Sequence, residues 1–267
     1  MGSIVSTNLA NAAIDEAGPL RLGVRLPRIL ETIAGLNACV VCLQELRICM
    51  DVDGVGALHP VEIARRVAQR ANLTVAIAAP NNGTALSFWH ATLYNSARIV
   101  HLKSIPIVID VPGLTHGLVY LLSCFCARDG PAFEPQNSTF WVINIHYPIR
   151  GQLAIATWLV ETIDRVLAEN GWLVGQPVVM IGDHNTFVDV DGVAQLAKLG
   201  ERFLMDTNTT PTFKSFPHNA WQGESVLDHA GVLRAAGEPA RAALDLRVYP
   251  IDHAYSDHAI VELKMRV

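Results

Sequence analysis

The chain has little charge, few cysteines and no long apolar run. Charged residues make up 17% of its 267 positions and the net charge is −5, so no basic surplus marks a general nucleic-acid binder. The one dense basic cluster, Arg65, Arg66 and Arg70, has helical spacing and reads as a solvated helix face. No apolar stretch reaches the ~18 residues needed to cross a bilayer, so no transmembrane segment is expected. The first residues lack the charged head and apolar centre of a secretory signal, and an intracellular, cytoplasmic location is expected. In that setting the four N-x-S/T sequons, at Asn72, Asn82, Asn137 and Asn208, carry little meaning. Met1 to Ser6 fits a loose acylation pattern, but residues 4–7 already read as the first strand. Five cysteines, an odd number, suit reduced thiols. Cys39 and Cys42 have the spacing of a redox or zinc pair. Inside an apolar strand, however, residues three apart face opposite sides of the sheet, so both are expected to be core thiols. No linker, low-complexity tract or repeat is present, and one domain over residues 1–267 is expected.

What the chain has is apolar strand. Hydrophobic residues make up 51% of it, ample for a large core. Runs rich in β-branched and aromatic residues, bounded by Gly, Pro, Asn and Asp, predict strands over 4–8, 38–44, 73–79, 85–94, 99–109, 118–127, 140–145, 178–181, 226–233, 244–249 and 259–263. Helical periodicity predicts helices over 27–35, 60–71, 152–169 and 193–199, the first two opening on proline.

The most informative run is Val178-Val179-Met180-Ile181-Gly182-Asp183-His184-Asn185. Residues i and i+2 of an extended chain project from one face, so Asp183 and Asn185 are expected to point together past the strand end while His184 points away. A strand–helix–strand pattern occurs twice, from 4–8 to the strand ending at Glu45, and from the strand ending at His146 to Asp183 and Asn185. All four strands finish on a polar group: Asn8, Glu45, His146 and the Asp183/Asn185 pair. Two stacked sheets with outer helices would gather those ends on one rim.

In chain order the sequence offers Asn8, Gln44-Glu45, Tyr94-Asn95 with Arg98, Asn144-Ile145-His146, Gly182-Asp183-His184-Asn185, Leu227-Asp228-His229 and Ser256-Asp257-His258. In that order and at predicted strand ends, the set resembles the endonuclease/exonuclease/phosphatase superfamily over nearly the whole chain. The resemblance implies an α/β fold of two stacked mixed β-sheets, the four-layer α/β/β/α sandwich of deoxyribonuclease I. It also implies a phosphoesterase that is Mg²⁺-dependent, with Mn²⁺ as the alternative ion. The substrate would be a phosphate ester, a nucleic acid or nucleotide first. A phosphomonoester or lipid phosphodiester, or a catalytically silent interaction scaffold, are the alternatives.

Phosphodiester hydrolysis needs well over ~15 kcal/mol of transition-state stabilisation, which calls for a cation, an activated water and help for the leaving oxygen. Glu45 is the principal metal-ligand candidate, and the resemblance sets Asn8 and Asp257 beside it. It assigns His146 to the phosphate or leaving group, and Asp183 and Asn185 to orienting water and phosphate oxygens. Tyr94 and Arg98 become substrate-binding candidates. His258 is a general-base candidate with Asp228 as its orienting partner, and Asp183 is the rival base. Asp-His occurs four times, at 183/184, 228/229, 252/253 and 257/258. Strand alternation turns His184 and His229 away from the aspartates and argues against a dinuclear His/Asp centre.

Two departures stand out. Some relatives carry a glutamate before the Tyr-Asn strand to support the middle histidine, whereas this chain has Ser87-Phe88-Trp89-His90 there. The third position of Gly-Asp-x-Asn is histidine rather than phenylalanine or tryptophan. Arg150 is a second phosphate-facing candidate. The loop from Thr212 to His218, with Trp221, reads either as a substrate grip or as apolar cover for the core.

Overall fold

A computed structural model describes residues 2–9, 22–46, 49–50, 57–81, 88–111, 118–128, 139–148, 152–186, 190–206, 208–214, 224–234, 245–250 and 258–265. Its strands in chain order are β1 Gly2–Asn8, β2 Val40–Leu46, β3 Cys49–Met50, β4 Ala57–Leu58, β5 Thr74–Pro80, β6 Trp89–Tyr94, β7 Ile99–Ile109, β8 Leu118–Ala127, β9 Thr139–His146, β10 Val178–Asp183, β11 Phe203–Met205, β12 Phe213–Lys214, β13 Glu224–Ser225, β14 Asp228–Leu233, β15 Asp245–Tyr249 and β16 Ile260–Met265. The helices, renumbered without gaps, are α1 Leu22–Leu36, α2 Pro60–Arg70, α3 Gln152–Glu169 and α4 Val190–Leu199.

Two six-stranded mixed sheets form the body, in the orders β15-β16-β1-β2-β6-β5 and β11-β14-β10-β9-β8-β7. Their central strands are nearly continuous apolar runs because both faces are covered. Alternation along β1 and β2 splits the side chains cleanly. Val5, Val41 and Leu43 pack outward against Ile29, Ile33 and Ile63 of α1 and α2. Ile4, Val40 and Cys42 pack inward against Phe125, Val142 and Ile181 of the second sheet. On that sheet's other face, Trp141, Ile143 and Met180 meet Ile155, Leu159 and Ile163 of α3. The layers are therefore α/β/β/α, and the helices cover the outer faces of two sheets packed on each other.

α3 spans the range its periodicity predicts, with Ile155, Leu159, Ile163 and Leu167 on its buried face. α1 begins five residues before the expected Pro27, which lies inside it. α2 opens with Pro60 behind an His59 cap whose side chain accepts from the Val61 N–H at 3.3 Å.

Cys39 and Cys42 are free, buried and in the same inter-sheet cluster, not on opposite faces. Cys39 lies in the bend ahead of β2, where strand alternation has not begun. No helix among the described residues is long and apolar enough to cross a membrane.

Both predicted strand–helix–strand units form parallel pairs, β1 with β2 and β9 with β10. Parallel neighbours end on the same side, so Asn8, Glu45, His146 and Asp183 arrive at one rim. The first sheet supplies two of them and the second sheet the other two.

Candidate active site

Glu45 reaches the rim through a backbone irregularity. Pairing of β2 with β6 slips between Leu43 and Leu46, so three residues of β2 advance against two of β6. Glu45 takes φ 57 within this bulge, a left-handed conformation uncommon for a residue with a side chain. The bulge re-aims a half-buried carboxylate toward the second sheet. Asn8 Nδ2 donates to Glu45 Oε1 and to Asp183 Oδ2, both at 3.0 Å, joining the two sheets through one amide.

Gly182 explains how β10 delivers Asp183. Its φ is 150, and a Cβ there would sit 2.1 Å from the Ile145 carbonyl oxygen, so only glycine lets β10 lie this close to β9. After Asp183 the chain turns instead of continuing as a strand. The Asn185 N–H donates to Asp183 Oδ1 at 2.8 Å and Asn185 takes φ 49. The expected projection of Asp183 and Asn185 from one extended face is thus corrected to a side-chain-stabilised turn. Asn185 Nδ2 donates to the Tyr147 carbonyl at 2.6 Å, and its own carbonyl accepts from Gln152 of α3 at 2.6 Å. Its side-chain amide nitrogen is engaged in holding this turn.

His146 Nε2 lies 3.5 Å from Glu45 Oε1 and 3.6 Å from Asp183 Oδ2. Its buried Nδ1 has no hydrogen-bond partner. Rings pack against it: Phe88 and His90 lie edge-on and tilted to His146 at centroid distances of 6.2 and 5.7 Å. His90 is fully buried with neither ring nitrogen hydrogen-bonded, and burial, followed by the charge of His146, holds its pKa well below the usual histidine range.

His258 enters from the first sheet, just before β16. Its Nδ1 lies 2.9 Å from Asp228 Oδ2, which places the hydrogen on Nδ1 and turns Nε2 toward the cluster, 3.8 Å from Asp183 Oδ2. Thr212 fixes the pair: its hydroxyl accepts from the N–H groups of Leu227 and Asp228, and its carbonyl accepts from the Ala259 N–H. Phe213 bridges to His258 in the backbone and lies edge-on to its ring at 5.0 Å.

Asp183 sits at the centre, 1% exposed. Its pKa is raised to about 6: burial is the largest cause, the charges of His258 and His146 oppose it, and those of Asp228 and Glu45 add to it. Two groups of potential ligands share it: Glu45, His146 and Asp183, and Asp183, Asp228 and His258. Asp228 Oδ1 is buried without a hydrogen-bond partner. Buried, mutually repelling carboxylates with an orphaned oxygen are the donor chemistry a hard divalent cation stabilises, so the residues present fit Mg²⁺ or Mn²⁺.

The structure brings together Asn8, Glu45, His146, Asp183, Asp228 and His258, with Asn185 in the adjoining turn. It does not bring Tyr94 and Arg98 there. β6 runs antiparallel to β2, so Tyr94 pairs with Val40 at the start of β2, roughly 16 Å from Glu45 at strand rise. Arg98 Nη1 donates to the Asn37 carbonyl at 2.5 Å on that opposite side. Both candidates are corrected. Asp257, Arg150, residues 215–218 and Trp221 lie outside the described residues.

His184 points away from the cluster as expected, stacked on Tyr147 with rings 5.5 Å apart and 14° from parallel. Burial, then the charge of His229, lowers its pKa to about 3. The motif reading missed the contact role of Gln44 and Asn144. Gln44 Nε2 donates to Asn144 Oδ1 at 2.8 Å, and Asn144 Nδ2 to the Ala91 carbonyl at 2.9 Å, a clasp between the sheets. A polar residue within an apolar strand was the available signal.

No protein-family model and no curated protein sequence matches the chain. Solved structures do. An endonuclease/exonuclease/phosphatase from Bacteroides vulgatus is similar at TM-score 0.69 and 14% identity, covering 99% of each chain. A mannosyl-6-phosphatase of Bacteroides thetaiotaomicron is similar at TM-score 0.63 and 16% identity, covering 99% of each. D. rerio TDP2 complexed with a single-strand DNA product is similar at TM-score 0.61 and 16% identity, covering 98% of this chain and 97% of that one. With two stacked mixed sheets between helices and these neighbours matching over nearly the whole chain, the chain has the fold of the endonuclease/exonuclease/phosphatase superfamily.

Proposed function

We propose that this chain is a divalent-metal-dependent phosphodiesterase acting on a nucleic acid or nucleotide, with all of residues 1–267 working as one domain. The observation that carries it is the convergence of a His258–Asp228 pair, His146 and two further carboxylates on one buried point. Glu45 and Asp183 would hold Mg²⁺ or Mn²⁺, with Asn8 setting their separation and Asp257 as a further candidate ligand. When bound, the ion supplies positive charge to a phosphate oxygen.

The rest is done by side chains. With Nδ1–H on Asp228, His258 Nε2 can take a proton from water, and the Asp228 carboxylate stabilises the imidazolium that results. His146, flanked by Phe88 and His90 and within 4 Å of both Glu45 and Asp183, offers its Nε2 to the phosphate or the leaving oxygen. Asp183 orients the water, and Asn185 braces Asp183 through its backbone N–H. A nucleic-acid substrate is supported by the shared fold of TDP2 bound to a DNA product. A phosphomonoester is the second reading, favoured by the shared fold of a mannosyl-6-phosphatase.

The test is hydrolysis by wild type and His258→Ala with Mg²⁺, Mn²⁺ or EDTA. Substrates are single- and double-stranded DNA, RNA, small nucleotides, a sugar phosphate, an inositol polyphosphate and sphingomyelin. Metal-dependent turnover, falling about 10²–10⁴-fold in the variant, is expected. Turnover of monoesters alone would establish the second reading. Absence of both turnover and any millimolar or tighter Mn²⁺ site by calorimetry would leave a silent scaffold.

A further inference from the structure

Behind the cluster, on the side of the Asp183 turn that faces away from His258, three side chains form a continuous chain of polar contacts that the proposed chemistry does not use. Asp206 follows β11 and accepts from the N–H groups of Ala230 at 2.7 Å and Asn208 at 3.0 Å. Its carboxylate lies 3.3 Å from His229 Nδ1, with the two side chains 2% and 5% exposed. His229 Nε2 lies 2.9 Å from Thr186 Oγ1, and the Thr186 hydroxyl donates to the Val226 carbonyl at 2.9 Å. A hydroxyl has one hydrogen, so with that hydrogen on Val226 the Thr186 oxygen accepts from His229. Both ring nitrogens of His229 therefore face acceptors, and its orientation is fixed at each end.

Burying a carboxylate, an imidazole and a hydroxyl together costs desolvation that apolar side chains of similar volume would avoid. What the chain holds is the exit of β10. Asn185 turns out of the strand in left-handed backbone, so the segment after Asp183 leaves the β10 ladder and is held by contacts from neighbouring elements. The bracing is dense. His184 N–H donates to the Leu227 carbonyl, the His184 carbonyl accepts from Gln195 of α4, and the His184 ring sits between Tyr147 and His229. Thr186 lies just past this turn, and its tether runs through His229 of β14 to Asp206, which follows β11.

We propose that the Asp206–His229–Thr186 chain is a positioning device. It fixes the turn after β10 so that Asp183 Oδ2 stays in reach of Asn8, His146 and His258 at once. The proposal rests on the phosphoesterase reading for its consequence in catalysis, but the geometric claim has its own observable. The Asn185 amide hydrogen is bonded to Asp183 Oδ1, so its exchange rate reports directly on whether that carboxylate is seated.

The test uses the full chain, wild type and four variants: Thr186→Val, Thr186→Ser, His229→Leu and His229→Gln. Asn185 amide exchange is measured without metal, alongside kcat and KM for bis(p-nitrophenyl) phosphate with Mn²⁺ and the melting temperature. Thr186→Val and His229→Leu are expected to speed Asn185 exchange, relative to the core amide of Val142, and to lower kcat about tenfold or more with KM within about twofold. Thr186→Ser and His229→Gln, which keep the hydroxyl and a donor at the Nε2 position, are expected to recover most of both. Asn185 exchange within about twofold of wild type in Thr186→Val overturns the proposal, as does equal damage in the Ser and Val variants. If wild type hydrolyses no phosphoester, the functional reading fails, and the exchange arm still decides whether the chain seats Asp183.

Discussion

At the scale of single residues, the site is built from side chains placed where folding alone would not put them. Glu45 is a carboxylate in left-handed backbone, and such a conformation costs roughly 1–2 kcal/mol for a residue with a Cβ. Glu45→Gln should abolish most metal-dependent activity and leave the melting temperature within a few degrees of wild type. Glu45→Gly should be equally inactive yet at least as stable, because glycine relieves the backbone. A marked drop in melting temperature for both would return Glu45 to a structural role. The sequence shows Glu45 as a polar strand end but gives no sign of its φ, since a bulge arises only from pairing with β6. The same limit governs Tyr94 and Arg98. Motif order places them in line with the other candidates, but whether a residue lies at the near or far end of a strand depends on that strand's direction in the sheet. His229 points away from the aspartate face, as strand alternation implies. Its partners, Asp206 and Thr186, are distant in sequence and carry no spacing that links them to it.

At the scale of elements, period-2 apolar patterning makes most of the strands legible, and β7, β8 and α3 fall on their expected limits. β11 has no sequence signature because three residues are too short to show a period. Pro27 reads as a helix start, whereas α1 begins at Leu22 and accommodates the proline within its first two turns. The tie between the sheets is where element packing becomes energetic. Gln44 of β2 and Asn144 of β9 are fully buried and satisfy each other, Ser6, and the Ala91 carbonyl. Asn144→Leu leaves the Gln44 amide and the Ala91 carbonyl without that partner, and should cost about 2–4 kcal/mol. Adding Gln44→Leu should cost less than the sum of the two single changes. Urea unfolding midpoints of the two single variants and the double variant check this, and strict additivity would mean that the clasp carries no coupling.

At the scale of the whole molecule, the pattern Asn8, Glu45, His146, Asp183, Asp228, His258 was readable because each residue closes or opens an apolar strand, and parallel crossovers gather such ends on one side. The convergence sets stability against function. The folded pKa of Asp183, about 6, lies above its ordinary 3.8, so the folded state binds that proton more tightly. The contribution favouring folding is complete below pH 3.8 and is lost as pH rises through about 6. In EDTA, Asp183→Asn should therefore gain in melting temperature relative to wild type between pH 5 and pH 7.5; with Mn²⁺ the variant should lack activity at both pH values. Mn²⁺ should raise the wild-type melting temperature more at pH 7.5 than at pH 5, because the ion binds the carboxylate form. A wild-type-minus-variant difference that does not change with pH would remove Asp183 as the source.

The sheet order has a consequence in time. β1, residues 2–8, lies between β2 and β16, and β16 begins at residue 260. β7 and β8, from the first half of the chain, complete the sheet whose centre is β9 and β10. On a ribosome adding ~5–20 residues per second, β1 waits roughly 10–50 s for its second neighbour. Until β8, β9 and β10 have been made, the inward faces of Ile4, Val40 and Cys42 lack the layer that covers them. The site can therefore close only once β16 has been made and has paired with β1, so its first residue, Asn8, waits on one of its last, His258.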